Sequence, residues 1–221
     1  YVYCEDALGN SVEDTEVFLV DKTPPQTTKT YGEPYYCPMS GCEEPAWITN
    51  TTLITLNALD PGVCSSGVNK TLYRVTLVDD EYCESDEACE NANSSGEWKE
   101  YKNPFTIPEE SCHLIEYYSV DNVNKTEDVK RQCVYVDNTP PEPVKEVGEP
   151  KTKWNGEDAI FYNISDKCWK EGGIECWKVT KLTPITLNCS DLEPHPVDHS
   201  RVCFKIEVDG GDKTEKYCGY Q

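Results

Sequence analysis

Apolar residues in this chain fall in short runs between turn residues, one of them alternating at every second position, and nowhere at the spacing a helix needs. In Leu53–Ala58, Ile54, Leu56 and Ala58 alternate with Thr55 and Asn57, so an extended backbone puts one apolar face on one side. Comparable runs cover Ala46–Thr49, Thr71–Val78, Glu97–Tyr101, Phe105–Ile107, His113–Val120 and Val129–Val136. Gly, Pro, Asn and Asp punctuate them, and Asp121-Asn122-Val123-Asn124 between the last two reads as a tight hairpin turn. Seven short strands at this spacing predict an all-β fold of the β-sandwich kind.

One phrase is written twice. Residues 16–34 read EVFLVDKTPPQTTKTYGEP and residues 132–150 read QCVYVDNTPPEPVKEVGEP, so the Asp21–Pro25 stretch returns as Asp137–Pro141, 116 positions on. A period of that length is a domain with its linker, and the chain reads as a tandem array. Residues 1–14 also match 117–128, and Thr52–Asp60 matches Thr183–Asp191 at an offset of 131. The 15 extra positions fall in Lys151–Lys181 and predict an additional hairpin carrying Trp154, Trp169 and Trp177. On this basis 1–22 is expected to be the final hairpin of a preceding domain, or donor strands for a neighbour. Residues 23–140 form a complete domain, and 141–221 a partial one with the Cys- and Trp-rich insertion at 151–181.

The pattern Thr-x-Ile-Thr-Leu, then Pro104–Ile107, His113–Asp121 and Val136–Pro141, resembles the Ig-like, fibronectin-III-like repeats of archaeal and bacterial cell-surface glycoproteins. The resemblance covers nearly the whole chain. It implies tandem Ig-like β-sandwiches, the first and last incomplete within the chain. Such modules serve as stalks, filaments, wall layers, adhesins and enzyme appendages, so the fold alone does not fix the role.

Composition narrows the setting. With 41 acidic residues against 20 basic ones the formal charge is −21, which argues against nucleic acid or anionic lipid as partners. No run approaches the roughly 20 apolar residues of a membrane span. Thirteen cysteines point to an oxidising, extracellular or cell-surface location, as do six Asn-x-Ser/Thr sequons at Asn50, Asn69, Asn93, Asn124, Asn163 and Asn188. Cys37 with Cys42, Cys168 with Cys176, and Cys83 with Cys89 are placed to close local loops. Cys112 and Cys133 face each other if the last hairpin turns near residue 122. Cys189 is matched with Cys218, and Cys64 has no evident partner. By alignment Cys4 takes the Ser119 position and Cys203 the Leu72 position. These are strands that lie side by side in an Ig-like sheet, so Cys4 is expected to bridge to a Cys203-like residue of another unit.

Reactive chemistry is sparse. Cys189, His195, His199 and Cys203 offer zinc-type ligands, but Pro194 and Pro196 prevent a helix from presenting both histidines on one face. Acidic residues at strand ends and linkers are better metal candidates, with calcium the cation such oxygens suit: Asp21, Asp60, Asp79, Asp137 and Asp191. No Gly-x-Ser-x-Gly, His-Glu-x-x-His or phosphate-cradling loop is present, so an enzyme is not expected. The expected role is a structural component of an extracellular microbial filament, surface layer or stalk. Self-association or other repeats of the same polypeptide, and N-linked glycans, would be its partners. The alternative is an adhesin or carbohydrate-binding module using the three tryptophans to stack on sugars.

Overall fold

The structure, a computed structural model, describes residues 1–37, 46–153, 176–192, 201–204, 206–208, 211–212 and 218–220. It is mostly β, as the alternation of apolar positions requires, and divides into two units, Tyr1–Asn138 and Thr139–Gln221.

The first unit opens with a hairpin of β1 (Val2–Glu5) and β2 (Ser11–Asp14), a two-stranded sheet of its own that is exposed along its length. Then β3 (Gln26–Tyr31) pairs antiparallel with β6 (Ile54–Leu59). Six more strands form a second sheet: β4 (Tyr35–Tyr36), β5 (Ala46–Ile48), β7 (Val68–Leu77), β8 (Lys99–Glu100), β9 (Ser111–Asp121) and β10 (Lys130–Val136). Their order is β4-β5-β10-β9-β7-β8, with β5 and β10 the parallel pair. The run Phe105–Ile107 contributes a single bridge, Phe105 to Ile54, because Pro104 and Pro108 flank it and cannot donate to a ladder. Strand β3 was hidden by its composition: QTTKTY has too few apolar residues to alternate visibly.

The core lies between the two sheets. Ile54 and Leu56 of β6 join Ala46 and Ile48 of β5, Ile115 and Tyr117 of β9, and Val134 and Val136 of β10 in one buried cluster. Each such aliphatic side chain stabilises the fold by about 1.5–3 kcal/mol. Polar groups also cross between the sheets. The Thr27 hydroxyl meets Ser119 Oγ at 2.6 Å, and Ser119 Oγ meets Thr71 Oγ1 at 2.7 Å. Glu127 closes this network by accepting from the N–H groups of Thr27 and Ser119.

Strand β9 is buried on both faces. Its second face is covered by the segment after β7, which winds through a 3-10 turn (Asp80–Cys83) and a helix α1 (Asp86–Glu90). Five residues are too few to show a helical apolar period. The helix is set instead by its cap, the Ser85 side chain accepting from the Ala88 N–H. Here the cysteine pairing corrects the expectation. Cys83 bonds Cys112 and Cys89 bonds Cys133, rather than Cys83 with Cys89 and Cys112 with Cys133. The register gives the reason: Cys112 opposes Tyr135 and Cys133 opposes Leu114, so the two stand diagonally, two places apart. Both pack instead against the overlying segment.

In the second unit β11 (Glu142–Val147) pairs with β14 (Ile185–Ser190), and β12 (Lys151–Lys153) with β13 (Trp177–Val179). Further antiparallel pairs are β15 (Arg201–Cys203) with β18 (Cys218–Tyr220), and β16 (Glu207–Val208) with β17 (Gly211–Asp212). The repeat read from the sequence holds at the level of register. Shifting the first residue by 116 and the second by 131 turns Gln26 opposite Leu59 into Glu142 opposite Ser190. It likewise turns Tyr35 opposite Ile48 into Lys151 opposite Val179. Side-chain hydrogen bonds follow: Thr49 N–H to Thr52 Oγ1 at 3.0 Å returns as Thr180 N–H to Thr183 Oγ1 at 3.0 Å. The Thr52 and Thr183 hydroxyls donate to the carbonyls of Pro34 and Pro150. The insertion's ends pair as β12 and β13, while Trp154 and Trp169 lie outside the described residues.

The remaining cysteines sort as follows. Cys176 and Cys203 are in disulfides, whereas Cys42 and Cys168, the partners expected for Cys37 and Cys176, lie outside the described residues. Cys218 stands opposite Cys203, and Cys189 opposite Pro143, so these registers do not bring Cys189 to Cys218. Cys4 and Cys64 carry free thiols. The bridge expected from Cys4 would run to a Cys203-like residue of another unit; within this chain Cys203 is disulfide-bonded and Cys4 is not.

Candidate metal centre

At one end of the first unit three carboxylates meet. Asp21 lies in the repeated phrase that enters β3, Asp60 directly follows β6, and Asp121 ends β9. One ligand oxygen from each lies within 4.8 Å of the others. Asp121 is fully buried and Asp60 is 8% exposed, while Asp21 sits at the partly exposed edge.

Local chemistry holds each carboxylate. The Asp121 Oδ1 atom accepts from the N–H groups of Val123 at 2.9 Å and Lys125 at 2.8 Å, which winds the turn into β10. Asp60 Oδ2 accepts from the Gly67 N–H at 2.7 Å and the Ser65 hydroxyl at 2.8 Å. Gly67 has φ +84°, a left-handed conformation that favours glycine and aims its N–H at the carboxylate. Asp21 Oδ2 accepts from the Ser66 N–H at 2.7 Å, and Asp21 Oδ1 from the Thr23 N–H at 3.1 Å. The Thr23 hydroxyl donates to the Pro61 carbonyl, anchoring the entering segment to the 60–67 loop. Gly62, at φ +124°, leaves room there, for a Cβ would stand 3.0 Å from Thr23 Oγ1.

Both Asp21 oxygens are thus engaged, whereas Asp60 and Asp121 each keep one oxygen that is not. Asp60 Oδ1 and Asp121 Oδ2 are buried with no hydrogen-bond partner. The Ser66 side chain and N–H hold the Asp21 carboxyl down to about 2; the Ser66 hydroxyl is close to it but outside hydrogen-bonding geometry. Among the described residues no lysine or arginine pairs with any of the three. Two like charges at such a distance repel by about 4 kcal/mol at an effective dielectric of 20. The set consists of oxygens alone, the donor type of hard cations such as calcium or magnesium.

Of the residues expected to bind metal, the structure brings together Asp21 and Asp60. Asp79 is exposed beside the 3-10 turn and outside the group. The Asp137 N–H donates to the Ile48 carbonyl at 2.9 Å, and Asp191 Oδ1 accepts from the Leu192 N–H at 3.2 Å; neither joins it. Asp121 was legible only as a turn residue. Its signal is the early hairpin, where Asp6 Oδ1 accepts from the N–H groups of Leu8 and Asn10, both at 2.9 Å. The two turns share this i+2, i+4 pattern. Each also has a left-handed residue at the corner, Gly9 or Asn124.

Elsewhere, the sequon asparagines 50, 69, 93, 124 and 188 are all exposed, while Asn163 lies outside the described residues, as do His195 and His199. Trp177 is half-buried with Lys151 Nζ 4.8 Å from its ring centre, so one ring face is already covered. Among the described residues no helix is long and apolar enough to cross a membrane. No protein-family model, curated protein or solved structure matches this chain.

Proposed function

We propose that the chain is a structural component of an extracellular microbial filament, surface layer or stalk, built from disulfide-stapled, glycosylated Ig-like β-sandwich repeats. The observation that carries this reading is the return of the same strand register and the same threonine hydrogen bonds in both units. A module copied with its backbone bonding intact is what a linear array needs, since each copy supplies the same mechanical element. The Thr-Pro-Pro phrases suit a joint between such copies, because proline fixes φ and restricts hinge motion. Disulfides that pin a covering segment to the central strands resist local opening, and they suit an oxidising compartment. Exposed sequon asparagines and a charge of −21 keep the surface hydrated.

The test is immunogold electron microscopy of intact source cells with antibodies raised against the first unit, joined to intact mass of the unreduced native material. Regularly spaced surface label, with mass in excess of the polypeptide from glycans, is expected. Label confined to the cytoplasm, or unglycosylated material with reduced cysteines, would overturn the reading.

A further inference from the structure

We propose that Asp21, Asp60 and Asp121 bind a calcium ion, which fastens the segment entering β3 to the loops at that end of the first unit. Three carboxylates converge there, and among the described residues no lysine or arginine forms an ion pair with any of them. A cluster of acids is common on an acidic protein. This one differs because two of its members are at least nine-tenths buried and each directs one oxygen to no hydrogen-bond partner. A buried carboxylate oxygen left unpaired is costly, and a cation resolves both the missing partner and the repulsion.

The remaining oxygens are held by backbone N–H donors from Gly67, Val123, Lys125, Ser66 and Thr23. These bonds orient the ligands before any ion arrives, the support a metal site requires. The three oxygens lie within 4.8 Å of one another, close enough for all of them to reach one calcium ion at about 2.4 Å. Magnesium dehydrates reluctantly and keeps several waters, so a cluster of largely buried carboxylates suits calcium better. The partly exposed Asp21 edge provides the route of entry, and water completes the coordination shell. The same pieces recur, since Asp137 and Asp191 correspond to Asp21 and Asp60, and Asp6 repeats the turn of Asp121.

The test uses the whole chain, freed of metal with EDTA and melted in 150 mM NaCl with and without CaCl2. Calcium at about 100 times its Kd is expected to raise the Tm by about 5 °C or more. Asp121→Asn and Asp60→Asn should each lose most of that shift, yet melt in EDTA no lower than the parent, because one repelling charge has gone. A purely structural carboxylate would instead lower the Tm in both conditions. Asp79→Asn should keep the full shift. Should the buried variants fail to fold, Asp21→Asn, at the exposed edge, is titrated calorimetrically, and a tenfold or greater loss of calcium affinity is expected. No calcium-dependent shift in the parent, or a shift that all three cluster variants leave intact, overturns the site. Magnesium binding as tight as calcium overturns the choice of ion.

Discussion

At the scale of single residues, the most consequential group away from the metal centre is Glu116. It lies on the covered face of β9, 1% exposed, between Arg74 of β7 and Arg131 of β10. The Ser94 hydroxyl donates to it at 2.8 Å, and Glu90 of α1 faces Arg131 from 3.8 Å. Burial is the largest single influence and pushes its carboxyl up. Hydrogen bonds from Arg74 and Ser94, with the charges of Arg74 and Arg131, together outweigh it and hold the group below its ordinary 4.5. A carboxyl lowered by folding contributes stability that is complete above the unfolded value and is lost as pH falls through the folded one. Glu116→Gln strands two arginines beside a neutral partner and is expected to cost about 3 kcal/mol in urea unfolding at pH 7. The gap between parent and variant should narrow below pH 4.5. A gap that stays constant from pH 7 to pH 3 would show that the ionised form contributes nothing.

At the scale of elements, the strands were legible because short apolar runs bounded by turn residues mark β5, β6, β7, β9 and β10, and every one of those runs is a strand. What failed to show was the layer over the second face of β9. Its segment is acidic and short in regular structure, and nothing in its composition announces that it lies across a sheet. The cysteines named the right four sulfurs, but alternation does not fix a hairpin to the residue, and a two-place offset between Cys112 and Cys133 redirected both bridges. Peptide mapping of unreduced protein should recover Cys83 linked to Cys112 and Cys89 linked to Cys133. Peptides linking Cys83 to Cys89 would refute the covering layer. Replacing Cys89 and Cys133 together by alanine is expected to cost about 2–4 kcal/mol, since it reopens a long loop in the unfolded chain. The loss should appear first as faster amide exchange in α1 and the 3-10 turn, the elements that bridge anchors.

At the scale of the whole molecule, the repeat was the most legible feature, for an offset read from letters reproduced backbone partners two residues at a time. It also pointed to Asp21 and Asp60. It missed Asp121 because a turn aspartate already has a sufficient local role in capping backbone N–H groups. The excess of acid has a consequence of its own. A charge of −21 spread over these units repels itself, and dissolved salt screens that repulsion over about 10 Å at 0.1 M. Raising NaCl from 10 to 150 mM should therefore raise the Tm, with most of the gain complete by the upper value. Because the effect comes from many charges, Asp121→Asn should gain nearly as much as the parent. Calcium at the proposed centre acts differently: it engages buried oxygens that salt reaches poorly, so its increment should persist at 150 mM NaCl. A calcium shift that vanished as NaCl rose would reduce the ion to one more screening cation. A shift that survived in the parent and not in Asp121→Asn would separate the local site from the global field.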